Sequence, residues 1–246
     1  MRPRREHPQS PTVKGILALN DEFKAIEERY QRIRGNIERV RSSGQDVRIM
    51  AVTKTVAPEK INHAISLGID LIGENRVQEY LSKKDAYLPA ETHLIGHLQT
   101  NKVKYIIDSV SMIQSVDSLK LASEIDRNAA KAGRIMDILI EINIGGEETK
   151  SGIDSGALRE LAHEIQRLGN VRLRGLMAIP PIGSGENVFD EMHGLYEELK
   201  SMRNELPNAR IDTLSMGMSG DYELAVKHGS TLVRIGSGLF GARIYR

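Results

Sequence analysis

Between residues 48 and 235 the chain alternates eight times between a short apolar run and a stretch with helical spacing or a loop. This alternation constrains the fold more than any other feature of the sequence. The runs are 48–54 "RIMAVTK", 70–74 "DLIGE", 93–98 "HLIGHL", 111–116 "SMIQSV", 136–144 "MDILIEINI", 173–179 "LRGLMAI", 212–216 "DTLSM" and 231–235 "TLVRI". Each is the length of a strand, and most are apolar on both faces, as strands buried on both sides are. The clearest helical stretches between them are 118–131, 155–168, 186–205 and 219–228. No two runs are joined by a two-residue hairpin turn, so the β-then-α order predicts a parallel sheet. Eight repeats predict an α/β fold closed into one (β/α)8 barrel of the TIM type; an open doubly wound sheet is the alternative.

From Ile16 to about Arg41 the apolar residues Leu19, Phe23, Ile26, Tyr30, Ile33, Ile37 and Val40 recur at helical spacing. They predict an extra N-terminal helix, closed by "SSG". Residues 1–11, "MRPRREHPQSP", are basic and proline-rich with no apolar segment after them. They read as a disordered tail and not as a signal peptide. Residues 12–246 read as one barrel domain without a linker. The chain has no cysteine, which excludes disulfides, thiolate catalysis and cysteine-based metal sites and fits a cytoplasmic protein. A net charge of +1 gives no electrostatic footprint for nucleic acid, and no apolar run reaches membrane-spanning length.

In a barrel of this kind the chemistry lies at the C-terminal ends of the strands. There the sequence places Lys54, Asn75, His97 with Gln99, Asn143, Ser215 with Ser219, and Arg234 followed by "GSG". Lys54 ends an apolar strand between two threonines. Alone, it reads equally as an amine nucleophile or as a lysine reaching out to solvent. "MGMSGDYELAVKHG" puts Ser219 and Gly220 at a helix start, where backbone N–H groups favour an anion, although a plain helix cap explains Ser219 as well. "RIGSGLFG" adds a glycine-rich turn after strand eight, so the last two loops have the composition of a phosphate site. Two other motifs fail on context. "GSGLFG" lacks the following helix and strand of a dinucleotide fold. His93 and His97 lie in a strand with no third ligand at a metal-binding spacing.

Taken in order, "AVTKT", "IGENRVQEY", "HLIGHLQTNKVK", "INIGGEETKSG", "RGLMAIPP" and "LSMGMSGDYELAVKHGSTLVRIGSGLFG" resemble the pyridoxal phosphate homeostasis protein family, from about Ile16 to Arg243. The resemblance implies a barrel like the N-terminal domain of alanine racemase, binding pyridoxal 5′-phosphate (PLP). It implies that Lys54 carries the cofactor as a Schiff base and that Asn75 lies beside the ring. Ser219, Gly236 and Ser237 would hold the phosphate, and Arg234 would face the pyridine nitrogen. The family often has threonine where Ser237 stands; the hydroxyl is kept. A guanidinium cannot accept a proton, so Arg234 would keep the ring a weak electron sink. Alanine racemases of this fold carry a second, mostly β domain with a catalytic tyrosine, and the chain ends at Arg246 without room for one. The expectation is therefore a monomeric carrier with no catalytic residues, buffering PLP or delivering it to apo-enzymes. A PLP-dependent racemase and a cofactor-free Schiff-base aldolase are the alternatives.

Overall fold

A computed structural model describes residues 13–147 and 150–242. Its eight strands are β1 (Arg48–Val52), β2 (Leu71–Glu74), β3 (Glu91–Leu94), β4 (Met112–Val116), β5 (Met136–Ile142), β6 (Val171–Ala178), β7 (Thr213–Ser215) and β8 (Leu232–Ile235). All neighbours pair in parallel, and β8 returns to β1 through Arg48↔Leu232 to Ala51↔Ile235, so the sheet closes into a barrel. The predicted (β/α)8 architecture is what the chain adopts. The strands follow the sequence runs closely, except that β3 begins two residues before its predicted start and ends four before its predicted end.

The outer ring consists of α1 (Val13–Val40), α2 (Pro58–Ser66), α3 (Val77–Lys83), α4 (Leu119–Lys131), α5 (Leu158–Ile165), α6 (Glu186–Ser201), α7 (Tyr222–Lys227) and α8 (Ser237–Phe240). The ring departs from the repeat in two places. Between β3 and β4 the chain forms a 3-10 helix, Thr100–Tyr105, in place of an α-helix. Thr100, Asn101 and Val103 are weak helix formers, and the tight turn still buries Val103, Ile106, Ile107 and Val110. After β8 the described residues form only the single turn of α8. The predicted extra helix α1 fills that gap: Ile26, Tyr30, Ile33 and Ile37 pack with Ile61 of α2, Val226 of α7, Val233 of β8 and Leu239 of α8. Asn36 Nδ2 ties it to Tyr222 Oη and Glu223 Oε1 at 2.8 Å each.

Inside the barrel the packing is mixed. Met50, Leu71 and Leu232 form one small apolar cluster and Met112, Leu139 and Met177 another. His93, Gln114, Ser215 and Arg234 are buried as well. Gly175 is required where β6 meets β7: its φ is +144°, and a Cβ there would lie 1.9 Å from the Thr213 carbonyl oxygen. Among the described residues no helix is long and apolar enough to cross a membrane. The predicted tail, residues 1–11, lies outside the described residues.

Candidate functional site

Lys54 stands two residues beyond β1, half-buried, on a turn held from three directions. The Thr53 hydroxyl donates to Glu74 Oε1 at 2.7 Å. Lys83 Nζ donates to the carbonyls of Thr53 and Val56, both at 3.2 Å. The backbone N–H of Thr55 donates to Glu79. Thr55 itself has φ +62°, the one positive φ outside glycine among the described residues. A β-branched residue is strained there, and such strain persists only where the surroundings over-determine it. The sequence thus spends stability to aim residue 54.

The groups behind this turn are electrostatically tuned. Glu74 is buried and receives Tyr87 Oη at 2.7 Å as well as Thr53, while its Oε2 has no partner. Burial pushes its carboxyl above the usual range, although hydrogen bonds from Thr53 and Tyr87 and the Lys83 charge oppose the shift. For Glu79 burial acts in the same direction, but the hydrogen bonds from Lys83 and Thr55 outweigh it and hold the carboxyl low.

Asn75 follows β2 directly, and its Oδ1 is buried with no hydrogen-bond partner. Gly96 presses against its backbone; a Cβ at Gly96 would lie 2.3 Å from the Asn75 carbonyl oxygen. Arg234 on β8 is 3 % exposed. Its Nη1 donates to Ser215 O at 2.9 Å and Ser215 Oγ at 2.7 Å, and its Nη2 to Ala178 O at 2.7 Å. Burial lowers its pKa to about 10, with Glu141 and Asp221 pulling it back, so it remains a cation at neutral pH.

The loop after β7 corrects one expectation. Ser219 is not at the start of α7, which begins at Tyr222 with Asp221 as its N-cap residue. Asp221 turns its carboxylate to the backbone N–H of Met218. Gly217, at φ +91°, lets the loop fold back, since a Cβ there would meet Ala225 at 2.5 Å. Ser219 is thereby carried to the other glycine-rich loop, and its Oγ accepts from Gly238 N–H at 2.9 Å. The two loops after β7 and β8 are joined by that bond.

One cavity of about 220 Å³ gathers Lys54, Asn75, Ser219, Arg234, Gly236 and Ser237 on its wall. These six are the residues to which the family resemblance gives the cofactor. Gly220 and the apolar Val52, Ile95, Ile179 and Met218 complete the wall, giving it apolar surface suited to a flat ring. The other rim residues go elsewhere. Asn143 Nδ2 donates to Glu147 O at 2.9 Å within its own loop, and His97 stands exposed beside Asp117 at 3.6 Å. Ser215 lies behind Arg234.

Besides Glu74, the barrel buries another carboxylate that the sequence did not single out. Glu141 on β5 is 3 % exposed, accepts from Ser151 Oγ at 2.8 Å and keeps a buried Oε2 without a partner. Burial raises its pKa, the Ser151 hydrogen bond and the Arg234 charge opposing and Asp117 reinforcing. The signal in the sequence was one charged residue inside the apolar run "ILIEINI".

The sequence pattern of the family described as alanine racemase, N-terminal domain, matches residues 29–244. A pyridoxal phosphate homeostasis protein from Aquifex aeolicus is 42 % identical over 220 residues, 87 % of this chain and 95 % of the relative. The chain belongs to the pyridoxal phosphate homeostasis protein family. The relative of that name from Escherichia coli K12 is 35 % identical over 233 residues, covering 92 % of this chain and 99 % of its own. Within the same fold, PipY of Synechococcus elongatus, solved with PLP bound, superposes with TM-score 0.75 at 32 % identity, over 88 % of this chain and all (100 %) of its own. Alanine racemase from Streptomyces lavendulae shares the barrel alone, at 16 % identity and TM-score 0.73 over 90 % of this chain and 58 % of the enzyme.

Proposed function

We propose that this protein binds PLP in the cavity of Lys54 and Arg234, attaches it covalently through the Lys54 amine, and buffers or delivers it in the cell. The observation that carries the reading is the cavity itself, where an amine, a buried cation, a hydroxyl joined to a glycine-rich turn and an asparagine share one wall. The donor set suits the cofactor. When bound, PLP supplies an aldehyde that an amine can capture and a pyridine ring that withdraws electrons.

Lys54 is the nucleophile, and the clamp of Glu79, Lys83 and Thr53 orients it. Ser219, Gly236 and Ser237 take the phosphate; a bound anion would draw on the Ser219 hydroxyl now engaged with Gly238 N–H. Asn75 would lie beside the ring. Arg234 would hold the ring nitrogen with a group that has no proton acceptor, which would keep the ring a poor electron sink. That property, with the names of the relatives, supports a carrier over a catalyst; the reading adds that it acts as a cytoplasmic monomer and hands PLP to apo-enzymes.

The test compares PLP with unphosphorylated pyridoxal in equilibrium dialysis, with L- and D-alanine turnover assayed beside it. PLP is expected to bind far more tightly, with no turnover above that of free cofactor and with transfer to an apo-enzyme. Equal affinity for both forms would remove the phosphate site. A second reading, racemisation, is favoured by one observation: the buried Glu141 carboxyl with its unpartnered oxygen. Sustained turnover lost in Lys54→Ala and in Glu141→Gln would select it.

A further inference from the structure

The two ends of the barrel are joined through its interior by a continuous series of hydrogen bonds. Arg234 Nη1 donates to Ser215 Oγ at 2.7 Å, and Ser215 Oγ donates to Gln114 Oε1 at 2.7 Å. Gln114 Nε2 meets His93 Nδ1 at 2.8 Å, and His93 Nε2 meets Glu91 Oε1 at 2.8 Å. Glu91 Oε2 closes the series on Arg48 at 2.7 Å. His93, Gln114, Ser215 and Arg234 are all 3 % exposed or less. No contact with the cavity of Lys54 requires His93 or Gln114.

The series has a direction. Arg234 can only donate, so Ser215 Oγ accepts from it and turns its single proton to Gln114. Gln114 therefore presents oxygen to Ser215 and its amide N–H to His93. His93 Nδ1 must then be a bare acceptor, which puts the imidazole proton on Nε2, toward the Glu91 carboxylate. Neutral His93 satisfies every link. A second proton, on Nδ1, would face the amide N–H of Gln114. Relief requires the amide to turn over and donate to Ser215 Oγ, which already receives Arg234.

We propose that His93 and Gln114 are positioning residues that hold Arg234 for the cofactor, and that a proton on His93 loosens that hold. The inference rests on the reading that Arg234 meets the cofactor. His93 lies at the floor of a cavity of about 570 Å³ at the N-terminal end of the barrel, beside Arg48 and Glu91, which gives it a route to solvent protons. The charged groups acting on it are Glu91 on its own strand, Arg48 on β1 and Asp137 on β5. Burial keeps the imidazole below its ordinary pKa, with Arg48 in the same direction and the two carboxylates opposing. His93 is thus neutral at physiological pH and the relay is set.

The test is a double-mutant cycle read as PLP affinity, with Gln114→Met removing both polar ends of the amide at similar size. Gln114→Met alone is expected to weaken PLP about 3- to 30-fold, the range of one hydrogen bond to a charged group or less. In an Arg234→Gln background it should add nothing, because its effect runs through Arg234. Equal losses in both backgrounds, the mark of a merely structural role, would overturn the inference. An Arg234→Gln variant that binds PLP like wild type would instead overturn the cofactor-site reading beneath it. Should Gln114→Met fail to fold, ¹⁵N spectra of wild-type histidines decide. His93 is expected as the Nε2–H tautomer, titrating below the range of an ordinary histidine, its shift moving on PLP addition. Titration in the ordinary range, or indifference to PLP, would sink the idea.

Discussion

The two ends of the barrel solve the same problem, charged groups at a strand terminus, in opposite ways. At the N-terminal end the charges pair with one another. Arg48 meets Asp70 at 3.3 Å and Glu91 at 2.7 Å; Arg172 meets Asp137 at 2.7 Å; Arg174 bridges Asp137 and Asp212; Arg210 meets Asp212 at 2.9 Å. At the C-terminal end Arg234 rests on serine and backbone oxygens, and Asn75 and Glu141 keep buried oxygens without partners. Buried polar atoms are normally satisfied, and leaving one bare costs roughly 1–3 kcal/mol. One end is complete in itself. The other is built for something that is not part of the chain.

The largest effect that would break this contrast lies at the paired end. Asp137→Ala leaves Arg172 and Arg174 short of a carboxylate and is expected to cost about 3–5 kcal/mol in urea unfolding. PLP affinity of the folded fraction should stay within about twofold, since Asp137 does not line the cavity and its loss only favours the neutral His93 that keeps Arg234 held. A large affinity loss with little destabilisation would reverse the assignment of the two ends.

Next in size comes Ser219→Ala. It removes one hydrogen bond to a charged group, about 1.5–3 kcal/mol, so PLP affinity should fall about tenfold to a hundredfold in fluorescence titration. Stability should change by about 1 kcal/mol or less, the share of the bond to Gly238.

The carboxyls give a third contrast, one of sign. Glu91 is held at about 2 by the hydrogen bond with His93 and by Arg48, below its unfolded value. It contributes stability that is present above about pH 4.5 and is lost as the pH falls toward its folded pKa. Glu141 is raised by burial, so its contribution is present below the unfolded pKa and is lost as the pH rises through the folded one. In melts at pH 7, Glu91→Gln should therefore lower the midpoint and Glu141→Gln should raise it. The same sign for both would show that the two ends are not differently built.

The smallest effect is at Thr55. Thr55→Gly relieves a strained φ but frees the unfolded chain, so stability should move by only about 1 kcal/mol. The yield of covalent capture at Lys54 should nevertheless drop, measured by intact mass after reduction. An unchanged yield would mean that the strain does not serve Lys54.

Much of this was legible in the sequence because barrel strands are buried on both faces and stand out as apolar runs. All eight were found, and the rim position of Lys54, Asn75, Ser219 and Arg234 followed from the strand ends. Helix boundaries were harder. The start of α7 was misplaced by three residues because Ser219 and Asp221 both resemble caps, and only the fold-back at Gly217 separates them. Glu74, Gln114 and Glu141 were missed for another reason. A polar residue inside an apolar run gives no sign of whether it points into the barrel or what it meets there. Gln114 finds Ser215 across 101 residues, a partnership that no local pattern encodes.

The central claim, that the C-terminal end takes PLP on Lys54, is tested most directly by trapping. Wild-type protein with one equivalent of PLP is reduced with borohydride, digested and mapped by mass spectrometry. The account expects a pyridoxyl mass on the peptide that contains Lys54, and its loss in Lys54→Ala. A label found only on Lys102 or Lys150, or no label at all, would contradict it.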